Sequence, residues 1–128
     1  MLKYSRQRES IKKNLASRCD HPTAEMVYSD IRKEFPNISL GTVYRNLTLL
    51  ADLGEVLKFS TGCGSDRFDG DTSLHSHFSC RKCGRVIDLP IADQEMLSVK
   101  AAEGFPGRID TNMVIFYGLC GDCLQPED

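Results

Sequence analysis

Six cysteines, three histidines and a few aspartates carry the chemistry this 128-residue chain can do. Four of the cysteines form two C-x-x-C knuckles, Cys80-Arg81-Lys82-Cys83 followed by Gly84, and Cys120-Gly121-Asp122-Cys123. Two intervening residues let both sulfurs of a knuckle reach one ion, and a nearby glycine eases the turn. Four thiolates satisfy tetrahedral zinc and leave no open position, the pattern of a structural site. The competing reading is a redox dithiol, but two pairs in place of one favour zinc. Cys83 and Cys120 lie further apart than in a zinc ribbon, so tertiary structure must bring the knuckles together. Cys19 and Cys63 have no partner at ligand spacing and read as incidental small residues.

His75 and His77 form His-x-His just ahead of the first knuckle. On a strand, residues two apart point the same way, so both imidazoles can bind one metal. Asp69 lies upstream and Asp88 downstream, on the next predicted strand; His21 is the remaining histidine. Three imidazoles and two carboxylates suit divalent iron, manganese or zinc better than a soft ion. Surface histidines and loop aspartates offer a plainer account of the same residues.

The elements that must position these groups read as α+β. A first helix is predicted over about Ser5 to Ser17, with Ile11 and Leu15 inward. Thr23 is a good N-cap for a second helix, whose apolar face is Ala24, Val27, Tyr28, Ile31 and Phe35. Pro36-Asn37 ends it. Ser39 caps a third helix, which Gly54 stops. Val56 to Phe59 and Arg67-Phe68 then form two strands around the turn-rich Thr61-Gly62-Cys63-Gly64. Helix, helix, helix, hairpin outlines a winged helix-turn-helix domain over residues 1–64. A hinge is expected near 60–70, and residues 70–128 form a second, α/β domain. Its strands are His75 to Ser79, Arg85 to Leu89 and Ile109 to Leu119. Between them Pro90 opens a helix running to Glu103, with Ala92, Met96 and Val99 on one face.

The third helix places Leu40, Val43, Leu47 and Leu50 toward the core. Its outward side carries Gly41, Arg45 and Thr48, with Thr42 and Tyr44 on the flanks. Such groups can read base edges, arginine to guanine and methyl or ring groups to thymine. An ordinary amphipathic helix would show the same polar exterior; the preceding helix and the following hairpin favour DNA. The net charge of −2 argues against nucleic acid, but its distribution does not. Residues 1–58 hold ten basic and seven acidic side chains, residues 59–128 six and eleven. The first 18 residues hold six basic side chains against Glu9 alone. Lys12 and Lys13 are therefore candidate phosphate contacts. A solvated basic helix face is the alternative. No apolar run is long enough to span a bilayer, and the polar start of the chain is no signal peptide, so a cytoplasmic location is expected.

His21-Pro22-Thr23-Ala24, Thr42-Val43-Tyr44-Arg45-Asn46-Leu47, and His75-Ser76-His77-Phe78 running into Cys80-Arg81-Lys82-Cys83-Gly84 resemble the ferric uptake regulator family, in order and over nearly the whole chain. The resemblance implies a winged-helix domain, a dimerisation domain and one structural Zn2+ per subunit, on Cys80, Cys83, Cys120 and Cys123. It also implies a regulatory Fe2+ or Mn2+ on His21, Asp69, His75, His77 and Asp88. The set is most similar to the peroxide-sensing branch, in which the last position is typically Asp where iron sensors carry Glu. No histidine follows His77, so the extra metal site of some members is not expected. Tyr44 and Arg45 match the family's base-contacting positions.

These expectations combine into a homodimeric, metal-dependent repressor on an inverted-repeat operator in double-stranded DNA, with no membrane partner. Metal clamps the two lobes. Peroxide releases the clamp by iron-catalysed oxidation of His21 or His75, without turnover, so the protein is not an enzyme. The alternatives are an iron, zinc or manganese uptake regulator with the same clamp, a metallohydrolase, and a zinc-stabilised protein-interaction module. A hydrolase needs an open metal position, a general base and a cleft, and no spare catalytic residue stands near His75.

Overall fold

The computed structural model describes residues 5–62 and 64–124. Cys63 lies outside the described residues. The chain divides into two compact units, with the division between Thr72 and Ser73.

The first unit is built on α1 (Arg6–Ala16), α2 (Ala24–Glu34) and α3 (Leu40–Asp52), followed by β1 (Leu57–Phe59) and β2 (Arg67–Asp69). Each helix starts on a hydroxyl cap that accepts an orphan backbone N–H: Ser5 from Arg8, Thr23 from Met26, Ser39 from Thr42. Past α3, Gly54 takes the left-handed conformation that ends it, with φ +76°. The three helices pack around Ile11, Leu15, Val27, Ile31, Val43, Leu47 and Leu50, and Phe68 of β2 closes this core at 0% exposure. β1 and β2 pair antiparallel, Lys58 opposite Phe68, so the ribbon is fixed to the bundle through one fully buried ring. Three helices and a hairpin are thus present in the expected order. Leu40 is a correction: it is 39% exposed, not in the core. It sits in the first turn of α3, ahead of the packed stretch that begins at Val43. There it lines a surface cavity of about 340 Å3 with Ala24, Gly41 and Tyr44.

The second unit holds β3 (His77–Cys80), β4 (Val86–Asp88), α4 (Gln94–Ala102) and β5 (Ile115–Gly118). β3 is central, antiparallel to β4 and parallel to β5. Three expectations are corrected. His75 precedes β3 and does not lie in it. The helix opens at Gln94 behind Asp93, whose φ is +59°, and not at Pro90. The last strand is four residues long, because residues 109–114 take a non-repetitive path. The apolar side chains of α4 also differ from expectation: Met96 and Val99 are 46% and 55% exposed, and the buried residue of the helix is Gln94. Among the described residues no helix is long and apolar enough to cross a membrane.

Candidate metal centres and the exposed face of the third helix

The parallel pairing of β3 and β5 explains how two distant knuckles meet. Parallel strands end at the same edge of a sheet. Cys80 closes β3 opposite Gly118, and Cys120 follows β5 by two residues. All four sulfurs of Cys80, Cys83, Cys120 and Cys123 lie within 4.8 Å of one another, with Cys83 and Cys120 at 3.8 Å. Tetrahedral zinc with Zn–S bonds near 2.3 Å requires sulfur pairs about 3.8 Å apart, so the set fits that ion. The Cys80 sulfur accepts the backbone N–H groups of Cys83 and Cys120 at 3.5 and 3.4 Å. These donors, Cys83 first, lower its pKa to about 5. Arg85 donates to the Cys120 sulfur at 3.2 Å and to Asp122 at 3.0 Å, and is the main reason the Cys120 thiol is lowered. Cys123, its proton held by the neighbouring sulfurs and chiefly by Cys120, is pushed up to about 12. Four thiols at this spacing ionise against one another, and a divalent cation relieves that repulsion. Arg85 was not singled out from the sequence; a basic residue two positions after a knuckle cysteine was the available signal.

Of the histidines and aspartates, His21 and Asp69 belong to the first unit, and His75, His77 and Asp88 to the second. In the first, His21 is 2% exposed and its Nε2 lies 3.2 Å from Oδ2 of Asp69. β2 makes this pair. The Arg67 guanidinium donates to the His21 carbonyl at 3.1 Å, and the Phe68 N–H to the Pro22 carbonyl at 2.9 Å. The other Asp69 oxygen accepts the Asp71 N–H, turning Oδ2 toward the imidazole. His21 has φ 53°, a left-handed conformation that costs a non-glycine residue on the order of 1 kcal/mol and is held only where the surroundings over-determine it.

In the second unit, Nε2 of His75 and of His77 lie 3.1 and 3.7 Å from Oδ1 of Asp88, and the two rings are 4.5 Å apart. Asp88 is the register partner of His77 across β3 and β4. The Ser73 carbonyl accepts from Nδ1 of His75 at 2.7 Å, which puts a proton on Nδ1 and makes Nε2, the nitrogen facing Asp88, the one a metal would take. Ligands at right angles with bonds near 2.1 Å stand roughly 3 Å apart, so the His21–Asp69 and His75–Asp88 spacings of 3.2 and 3.1 Å are those of donors able to share a divalent ion.

On α3, Thr42, Tyr44, Arg45 and Thr48 are all at least partly exposed. Arg45 donates to the Thr42 hydroxyl at 3.0 Å. Tyr44 is tied to the ribbon: its hydroxyl donates to Asp66 at 3.3 Å, and the Lys58 ammonium lies 4.8 Å from its ring centre. Neither Asp66 nor Lys58 was identified from the sequence, since nothing local marks a cross-element partner. Lys13 is exposed, whereas Lys12 is ion-paired with Glu55 at 2.8 Å. Cys19 is exposed, and among the described residues no metal-ligand cluster includes it.

Known proteins resemble this chain. The profile of the ferric uptake regulator family matches residues 1–112. The peroxide-responsive repressor PerR of Staphylococcus epidermidis is 33% identical over 124 residues, covering 97% of this chain and 83% of that protein. The crystal structure of the Campylobacter jejuni peroxide stress regulator superposes with a TM-score of 0.80 at 31% identity, covering 91% of this chain and 88% of that one. The Helicobacter pylori ferric uptake regulator shares the fold, with a TM-score of 0.84 at 23% identity over 99% of this chain and 85% of its own. Knuckles, histidine groups and helix order thus occur together in a chain that belongs to the ferric uptake regulator family.

Proposed function

We propose that this chain is a homodimeric, metal-dependent DNA-binding repressor that senses hydrogen peroxide. The observation that carries the reading is the pair of incomplete donor sets, His21 with Asp69 and His75 with His77 and Asp88. Two or three protein ligands leave an iron or manganese ion under-coordinated; all five give a nitrogen- and oxygen-rich shell that suits either. Asp69 and His75 are close in sequence on either side of the division between the units, so one ion taking all five ties the first unit to the second. The four thiolates hold a separate, structural zinc.

The first unit is then a winged helix. α3 enters the major groove with Thr42, Tyr44, Arg45 and Thr48 toward the bases, and Lys13 and Lys12 approach phosphates, Lys12 by exchanging Glu55 for DNA. The second unit supplies the dimer contact, for which Met96, Val99, Phe105, Phe116, Tyr117 and Leu119 offer exposed apolar surface. A twofold dimer reads an inverted repeat. Bound metal favours the arrangement that fits DNA, with linkage of about 1–3 kcal/mol.

Ferrous iron supplies, when bound, the means to reduce hydrogen peroxide. The imidazole of His21 or His75 gains one oxygen, and the peroxide leaves as water. The modified ring is a poorer donor, and the tie between the units is lost. The histidine is consumed, so there is no turnover. The relatives named peroxide-responsive repressors support this reading over the uptake-regulator alternative.

The test is operator binding by fluorescence anisotropy, with and without Mn2+. His21→Ala should keep its zinc and its dimer yet show no metal-dependent gain in affinity. A wild-type metal response from that variant removes His21 from the site. Arg45→Ala should weaken specific binding by about 1–3 kcal/mol, a bidentate base contact being worth that much. Lys13→Ala should weaken all sequences alike and flatten the salt dependence. An Arg45→Ala protein that binds its operator like wild type shows that α3 is not the reader.

A further inference from the structure

Between His75 and His77 stands Ser76, at 0% exposure. The two imidazoles come together, with ring centres 4.5 Å apart, while the Ser76 hydroxyl between them turns to α4. That hydroxyl donates to the Gln94 side-chain carbonyl at 2.7 Å. The Gln94 amide donates to the Asn112 Oδ1 at 2.9 Å. The Asn112 amide donates in turn to the Ser98 hydroxyl at 2.7 Å and the Gln94 carbonyl at 3.2 Å. The backbone of Ser76 is engaged as well, its carbonyl accepting the N–H of Leu89, next to Asp88.

Gln94 is the one buried residue of α4 and it is polar, while the apolar Met96 and Val99 of the same helix are exposed. A buried amide is retained at a cost unless its groups are paired; here they are paired and fix one rotational setting of the helix against the histidine segment. Asn112 adds the segment leading into β5, whose Val114 carbonyl accepts the His77 N–H at 3.0 Å. The network therefore touches every backbone segment that carries or borders the second histidine group.

We propose that Gln94, acting through Ser76, is a positioning residue for the His75, His77 and Asp88 half of the regulatory metal site. This rests on the metal reading above. The amide sets where the His-x-His segment lies, and hence whether both imidazoles meet the same ion as Asp88. It also makes α4 respond to metal, since a segment pulled toward an ion draws on Ser76 and through it on the helix.

The experiment titrates Mn2+ into zinc-loaded full-length protein and reads the free ion by electron paramagnetic resonance. Zinc retention against a chelator and far-UV circular dichroism are followed in parallel. Gln94→Met and Ser76→Ala should each weaken Mn2+ by about 10- to 100-fold, the range for partners that orient metal ligands. Zinc retention should not change, which separates positioning from general loosening of the unit. The double variant should lose no more than the larger single loss, because both substitutions cut one link. Ser76→Ala removes a single oxygen and keeps the test readable if Gln94→Met folds poorly. Mn2+ binding within twofold of wild type in Ser76→Ala, or losses that multiply in the double variant, overturns the proposal. Failure of the wild-type protein itself to take up Mn2+ overturns the metal reading on which it rests, and is seen before any variant is made.

Discussion

Cys80→Ser protein should contain no zinc and lack a folded second unit. The packing explains the size of the effect. The hydrophobic core cluster, Ile11 through Phe68, lies wholly in the first unit. In the second, the buried hydrophobic side chains among the described residues are Cys80, Val86 and Cys120, and two of these are metal ligands. So small an apolar core cannot offset the entropy of ordering the chain. Zinc binding to four thiolates is worth on the order of 10–16 kcal/mol and substitutes for it. Cys80 is the ligand to remove because its sulfur accepts N–H groups from both knuckles. Metal analysis should fall from one zinc per chain to none. Amide spectra should keep the dispersed signals of α1 to α3 and lose those of β3 to β5. Affinity for zinc should also fall as pH falls, because the cation must displace protons from the thiols, Cys123 holding its own most tightly. A stable, zinc-free second unit in the variant would show that the knuckles are not a structural site.

Iron-loaded protein should come off its operator on treatment with peroxide, and manganese-loaded protein should stay on. The two ions suit the same imidazole and carboxylate donors, but manganese does not readily drive the same reaction, so the comparison isolates chemistry from coordination. Affinity should drop to that of the metal-free protein. Mass spectrometry should find one added oxygen on His21 or His75. Met113, 43% exposed, is an internal control for indiscriminate oxidation and should stay unmodified. Iron-loaded protein that remains bound with intact histidines refutes peroxide sensing and leaves the uptake-regulator reading in its place.

Much of the first unit was legible in the sequence because its signals are local. Ser5, Thr23 and Ser39 announce helix starts by hydroxyl chemistry, and Ile11, Leu15, Val27 and Ile31 mark the buried faces by spacing. Both candidate donor clusters were legible through residue type. Failures occurred where the outcome depends on what packs against an element. Leu40 has the right phase for the core, but phase does not say where the core ends. Met96 and Val99 read as an inward stripe, since periodicity detects an apolar face without telling whether the chain itself covers it. Gln94 was overlooked because a buried amide looks like any surface glutamine until Ser76 and Asn112 are brought to it. Pro90 is a plausible helix start that the left-handed Asp93 pre-empts.

The parallel pairing that brings the knuckles to one edge also dictates when during biosynthesis the zinc site can close. Cys120 lies 37 residues after Cys83. At about 5–20 residues per second, the ribosome needs roughly 2–8 s to complete the second pair, Cys120 and Cys123, once the first is made. For that interval Cys80 and Cys83 have no second pair with which to close a four-thiolate site. Zinc can thus seal the second unit only once residues 84–123 have been made.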